Sequence, residues 1–181
     1  SDGFPDSNYF LKERVLVTGG AGFTGAALSA RLLARGAQVI IYDNFAQPGS
    51  AQNIDWLAER YGSRVRVVRG DVRSAGGLAE VVRQAGVVFH LAARPAGFNG
   101  AAAPEEDFEV NALGTLNVLE AARASRRPPL VCYSSTSCVY GSPDPKPFGV
   151  AESEQLDMRS QIGCSKGAGD QYAADYARTY G

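Results

Sequence analysis

Gly19-Gly20-Ala21-Gly22-Phe23-Thr24-Gly25 follows the apolar run Val15-Leu16-Val17-Thr18 and precedes an Ala/Leu-rich helical pattern. The context is therefore strand, tight turn, helix. Glycines at 19, 22 and 25 form a variant of the dinucleotide fingerprint, permitting a sharp turn, close approach of backbone to a pyrophosphate, and tight packing of helix on strand. A pyrophosphate so placed meets the unpaired N–H groups and positive dipole end of the following helix. The other half of the fingerprint is an acid closing the next strand. Gln38-Val39-Ile40-Ile41-Tyr42 reads as that strand and Asp43 closes it, a carboxylate suited to the adenosine ribose hydroxyls. It would repel a 2'-phosphate, which favours NAD over NADP. Asp43-Asn44 is also good turn chemistry, so the plainer alternative is the start of a turn.

Working outward, the 181 residues suffice for one domain with a real core and are too few for two ordinary ones. We expect a flexible leader over residues 1–10 and a dinucleotide-binding domain over 11–181. Eighteen basic and nineteen acidic residues give a net charge of −1, and no Lys/Arg run suggests nucleic acid or an anionic membrane as partner. No apolar stretch is long enough to cross a bilayer, and no signal-peptide pattern opens the chain. The expected partner is a small molecule. Cys132, Cys138 and Cys164 lack metal-ligand spacing and His90 is the sole histidine, so no metal site is expected, and reduced thiols in the cytoplasm are the expectation.

Periodicity and punctuation set the remaining elements. Strands are expected at Arg14 to Thr18, up to Asp43, at Arg64 to Arg69, at Val87 to Ala92 and at Leu130 to Ser134. Helices are expected from Phe23 to Arg35 with Gly36 as the stop, from Asn53 to Arg60, from an N-cap at Ser74 through Arg83, from Glu105 to Ser125, and from Gly163 to Tyr180. Apolar strands alternating with helices imply an α/β fold, a Rossmann-type doubly wound parallel sheet with order 3-2-1-4-5. The pattern stops after a helix where a sixth strand is expected, so the C-terminal substrate subdomain of such folds is read as absent.

Several further motifs fall in order along the chain: Tyr42-Asp43-Asn44-Phe45, Gly70-Asp71-Val72-Arg73, His90-Leu91-Ala92-Ala93, Val110-Asn111 with Gly114-Thr115-Leu116-Asn117, Ser134-Ser135-Thr136 with Val139-Tyr140-Gly141, and Gly163-Cys164-Ser165-Lys166. With the glycine turn, they make the chain resemble the extended short-chain dehydrogenase/reductase family, the NAD-dependent epimerases and dehydratases of nucleotide sugars. Within it, Asn53-Ile54-Asp55-Trp56-Leu57 and Glu106-Asp107-Phe108-Glu109-Val110-Asn111 are most similar to the CDP-paratose 2-epimerase branch. The resemblance implies NAD as cofactor, a nucleotide-linked hexose as substrate and a homodimer built through the helix near Asn111 and the last helix. It implies cofactor contacts from Gly19, Gly22, Phe23, Thr24, Gly25, Asp43 and Asn44, adenine contacts from Asp71 and Val72, and a pyrophosphate and nicotinamide-ribose wall from Leu91, Ala92 and Ala93. Ser134 would lie behind the nicotinamide. Thr136 takes the place of the catalytic Ser/Thr, Asn111 joins the catalytic group, and Lys166 would bind the nicotinamide ribose and lower the pKa of a catalytic tyrosine. Without the other motifs, Thr136 reads as a turn hydroxyl and Lys166 as a solvated helix lysine.

One position departs from the family. Its base is the tyrosine of Tyr-x-x-x-Lys, one helical turn before the lysine. Here that residue is Ile162, preceded by Gln161, and neither Lys12 nor Lys146, the other two lysines, restores the motif. Isoleucine cannot take a proton, so ordinary hydride chemistry should be impaired, general-base catalysis being worth about 10²- to 10⁴-fold. Two readings stand: an epimerase-like oxidoreductase with another base, or a relative that keeps the NAD fold without the redox step.

Overall fold

Five short apolar segments pair side by side, all parallel, in a computed structural model that describes residues 13–94, 103–141 and 149–181. They are β1 (Arg14–Thr18), β2 (Gln38–Asp43), β3 (Val65–Arg69), β4 (Val87–His90) and β5 (Leu130–Tyr133), in the order β3-β2-β1-β4-β5. The expected order and the doubly wound class are both found. Because successive side chains on a strand point to opposite faces, β1 and β2 feed two cores at once. Leu16, Ile40 and Tyr42 join Leu78, Val82 and Val118 on one face, and Val15, Val17, Val39 and Ile41 join Leu33 and Leu57 on the other.

The helices are α1 (Phe23–Ala34) and α2 (Ser50–Tyr61) on the second face, and α3 (Ala75–Val82) and the composite α4 (residues 104–123) on the first. A last helix, α5 (Gln161–Tyr180), packs along α4. Gly36 ends α1 as expected, at a φ of 96° that a side chain rarely adopts, and its N–H bonds Leu33 O. The leader over residues 1–10 lies outside the described residues.

Several expected boundaries change, each for a physical reason. The helix expected over Glu105 to Ser125 is α4, in two α-helical parts, Pro104–Asp107 and Gly114–Arg123, joined by a π-helical turn, Phe108–Leu113. The Thr115 hydroxyl donates to Asn111 O at 2.6 Å, competing for a carbonyl the helical ladder would use. β4 ends at His90 rather than Ala92, since Ala92 N–H turns to the Thr18 hydroxyl. β3 starts at Val65 because Arg64 closes a 3-10 turn, and β5 ends at Tyr133. α2 and α5 begin earlier than expected; at α5 the Ser160 hydroxyl caps the end by accepting from Gly163 N–H at 3.0 Å. Ser74 precedes α3 but its side chain makes no capping bond.

His90 sits wholly inside, on β4, its Nδ1 2.7 Å from Thr18 Oγ1 and its Nε2 3.0 Å from Thr115 Oγ1. Thr115 spends its proton on Asn111 O, so Nε2 carries the ring hydrogen and Thr18 donates to Nδ1. Burial, aided by the Lys166 charge, pushes the imidazole down to about 3. The unfolded chain then takes up this proton first, at its ordinary value near 6.5, so stability falls with pH below that point. We expect a loss of about 1.4 kcal/mol per pH unit on the way down. The upper part of that window belongs to His90, because carboxylates held low in the fold, such as Asp71 and Glu120, begin to cost stability only from about pH 5 downward. Urea midpoints measured from pH 7 to 4.5 check this, and His90→Gln should flatten the slope.

Candidate functional site

The glycine turn is held from both sides. Gly19, at a φ of 68°, gives its N–H to Tyr42 O at 2.9 Å, and a Cβ there would stand 2.7 Å from Ala92 N. At Gly25 a Cβ would come within 2.2 Å of Gly19 O, so α1 can lie against the turn only without a side chain. Gly22 stands at the N-cap of α1 with no side-chain cap, which leaves the first-turn N–H groups and the dipole open to an anion.

Asp43 is both a turn residue and a strut. Its Oδ1 accepts from Phe45 N–H at 2.8 Å, the turn pattern, and its Oδ2 accepts from Ala21 N–H at 3.0 Å, tying the glycine turn to β2. A carboxylate offers about four acceptor positions, so two remain for a ligand's hydroxyls. Asn53 Nδ2 supports the same turn by donating to Ala21 O at 2.8 Å. Beyond β3, Asp71 takes hydrogen bonds from the Nη2 and Nε of Arg73 and from Asn44 Nδ2. The guanidinium, more than the amide, holds this carboxyl well below the usual carboxylate range.

An open cavity of about 750 Å³ runs over the carboxyl ends of β1, β2 and β3. Gly19, Gly22, Phe23, Thr24, Gly25, Asp43, Asn44, Asp71, Val72, Leu91, Ala92 and Ala93, each expected at a cofactor, all line it. Asn53, Arg73, Arg94 and Glu106 line it as well and were not expected. Arg94 directly follows the His90-Leu91-Ala92-Ala93 motif, the one sequence signal that could have raised it. The cradle suits a dinucleotide: glycines admit a pyrophosphate where a Cβ would block it, and a carboxylate stands at the β2 end.

Ser134, Thr136, Asn111 and Lys166 do not line that cavity. Ser134 follows β5, exposed, with its N–H on His90 O. Thr136 Oγ1 accepts from Cys138 N–H at 3.3 Å, so the plainer reading of a turn hydroxyl is met. Asn111 is fully buried in the π-helical turn, its Oδ1 accepting from Arg94 N–H and its Nδ2 donating to Ser165 Oγ. Lys166 is 4% exposed, which corrects the alternative of a solvated helix lysine. Its Nζ lies 4.3 Å from the centroid of the Tyr133 ring, and Tyr133 OH donates to Lys166 O. Burial pushes the ammonium down to about 8 against the opposing charge of Asp170. Ile162, half-buried in the first turn of α5, stands one turn before it.

Parallel sheet, glycine turn, acid at the end of β2 and cavity at the strand carboxyl ends together define the dinucleotide-binding Rossmann class. Residues 15–181 match the NAD dependent epimerase/dehydratase family, and the chain belongs to it. It is 38% identical to CDP-paratose 2-epimerase of Salmonella typhi over 93% of this chain and 54% of that one. It is 36% identical to a putative UDP-glucose 4-epimerase of Methanocaldococcus jannaschii, over 92% of this chain and 52% of that one. Among solved structures, the UDP-glucose 4-epimerase of Thermus thermophilus in complex with NAD superposes with a TM-score of 0.79 at 36% identity, over 92% and 51% of the two chains. The chain thus spans about half the length of the curated relatives it matches. Among the described residues, no helix is long and apolar enough to cross a membrane.

Proposed function

We propose that this domain binds NAD in the cavity above the strands and serves an epimerase- or dehydratase-like oxidoreductase acting on a nucleotide-linked hexose. The observation that carries the reading is the glycine turn with Asp43 braced against it over one cavity. Gly19, Gly22 and Gly25 with the α1 N-terminus would hold the pyrophosphate, Asp43 and Asn44 the adenosine ribose, and Asp71 and Val72 the adenine. Leu91, Ala92 and Ala93 form the wall, and Ser134 and Lys166 would meet the nicotinamide end. NAD, when bound, supplies the hydride acceptor for a sugar hydroxyl. Thr136 would hydrogen-bond that oxygen, Asn111 would order the residues beneath, and the Lys166 ammonium favours a developing negative charge beside it. CDP-hexoses are the first candidate substrates, on the similarity to CDP-paratose 2-epimerase. A homodimer through α4 and α5 is supported by the exposed Phe108 and Tyr172 on those helices, and the three free thiols agree with a cytoplasmic setting.

Ile162 supports a second reading, in which NAD is retained and the redox step is not. Nucleotide released by denaturing protein purified without added cofactor separates the two. NAD with a fraction of NADH is the expected result for hydride chemistry. NAD alone, even after exposure to CDP- and dTDP-hexoses, favours the second reading, and no nucleotide counts against the site.

A further inference from the structure

Four polar residues from three separate segments close a ring through three side chains and both the backbone N–H and the guanidinium of Arg94. Arg94, just past β4, gives its N–H to Asn111 Oδ1 at 2.9 Å. Asn111 Nδ2 donates to Ser165 Oγ at 3.0 Å, and Ser165 Oγ donates to Asp107 Oδ2 at 2.9 Å. Asp107 Oδ1 faces back to Arg94 Nη1 at 3.9 Å. Asp107 is 3% exposed and Ser165 7%, and Arg94 is among the residues that line the cavity. A desolvated carboxylate that meets, among the described residues, one hydroxyl and a guanidinium beyond hydrogen-bond reach is a poor device for stability alone, since apolar residues of similar volume often serve a core as well or better. What the ring does is join the wall that carries Arg94 to the helix that carries Lys166, the neighbour of Ser165.

We propose that Asp107 and Ser165 are positioning residues of the cofactor site, holding Lys166 and the Arg94 wall in register so that both meet one NAD molecule. The inference rests on the NAD reading above. Ser165 acts through Lys166, because its hydroxyl fixes the first turns of α5 against α4. Asp107 acts through Arg94, whose guanidinium it faces together with Glu106, 2.8 Å from Arg94 Nε.

The test is titration of NAD into the parent, Ser165→Ala, Asp107→Asn, Lys166→Met and Ser165→Ala/Lys166→Met proteins, with the melting temperature of each. Ser165→Ala and Asp107→Asn are each expected to weaken NAD binding about tenfold, the scale of one charge-assisted hydrogen bond. In the Lys166→Met background Ser165→Ala is expected to have no further effect on affinity. Lower melting temperatures with unchanged affinity, or an equal affinity loss from Ser165→Ala in both backgrounds, would overturn the inference and leave the NAD reading intact. A parent that binds no NAD overturns the NAD reading and the inference with it. Should Ser165→Ala fail to fold, Asp107→Asn, which keeps shape and an acceptor oxygen, decides alone by the same criterion.

Discussion

Replacing Ile162 by tyrosine is expected to raise the rate at which a nucleotide-linked hexose reduces bound NAD by about 10²- to 10⁴-fold, the usual worth of a positioned general base. On the hydride reading proposed above, α5 already carries the charged partner such a base requires. Residues 162 and 166 lie on one face of α5, one turn apart, so a phenol at 162 would stand beside the Lys166 ammonium, and a neighbouring positive charge lowers a phenol's pKa. Ile162 is half-buried in the first turn of a helix capped by Ser160, so a tyrosine there replaces a side chain that is already partly exposed. Lys166→Met in the same background is expected to cancel the gain. Stopped-flow absorbance of NADH formation with CDP- and dTDP-hexoses is the measurement. Equal rates in parent and variant would mean either that another group already takes the proton or that the substrate is not of this class, and detection of an epimeric product from the parent separates these.

The second large effect is expected at the turn. In Gly25→Ala the added carbon would meet Gly19 O at 2.2 Å and Gly20 Cα at 2.6 Å, both backbone atoms that no rotamer can move. Either α1 lifts from the turn or the turn opens. Overpacking of this sort costs about 1–3 kcal/mol of stability. Since the same turn faces the cavity, NAD affinity should fall by more than about tenfold even where the protein is fully folded. Gly22→Ala separates the two quantities: its Cβ would meet only Gly19 O, at 3.3 Å, so the loss of stability should be milder, while a methyl group on the cavity lining should still weaken NAD binding. Denaturant titration and calorimetric NAD titration, run on both variants, give the two quantities.

How much of this was legible without coordinates depended on whether the information lay in side-chain pattern or in backbone bonding. Apolar runs such as Gln38 to Asp43 and a glycine turn at the first strand sufficed for the sheet order, because parallel strands buried on both faces leave a strong mark. The residues that the family resemblance implied at a cofactor, from Gly19 to Ala93, line one cavity because they lie at the carboxyl ends of strands or in the turns and helix start that follow. The π-helical turn at Phe108–Leu113 was not legible. Hydrophobic period does not record which carbonyl a threonine hydroxyl takes, and Thr115 decides that locally. Nor does spacing show that Asn53 and Ala21, 32 residues apart, share a hydrogen bond, or that Lys166 is buried on a tyrosine ring. The ring of Arg94, Asn111, Asp107 and Ser165 was invisible for the same reason: its members are ordinary residues that only the crossing of α4 and α5 brings together.

The two outer strands of the sheet, plain elements of the architecture, differ in how they meet a stranger. β3 carries Arg66 and Arg69 and pairs on the β2 side alone among the described residues, and charges on such an edge discourage a foreign strand from adding to it. β5 is Leu-Val-Cys-Tyr, pairs on the β4 side alone among the described residues, and leaves Leu130 43% exposed. In a concentrated solution of these 181 residues, strand addition is therefore expected at β5 before β3, and Leu130→Arg, which gives that edge the same guard as the other, should lengthen the lag before light scattering rises.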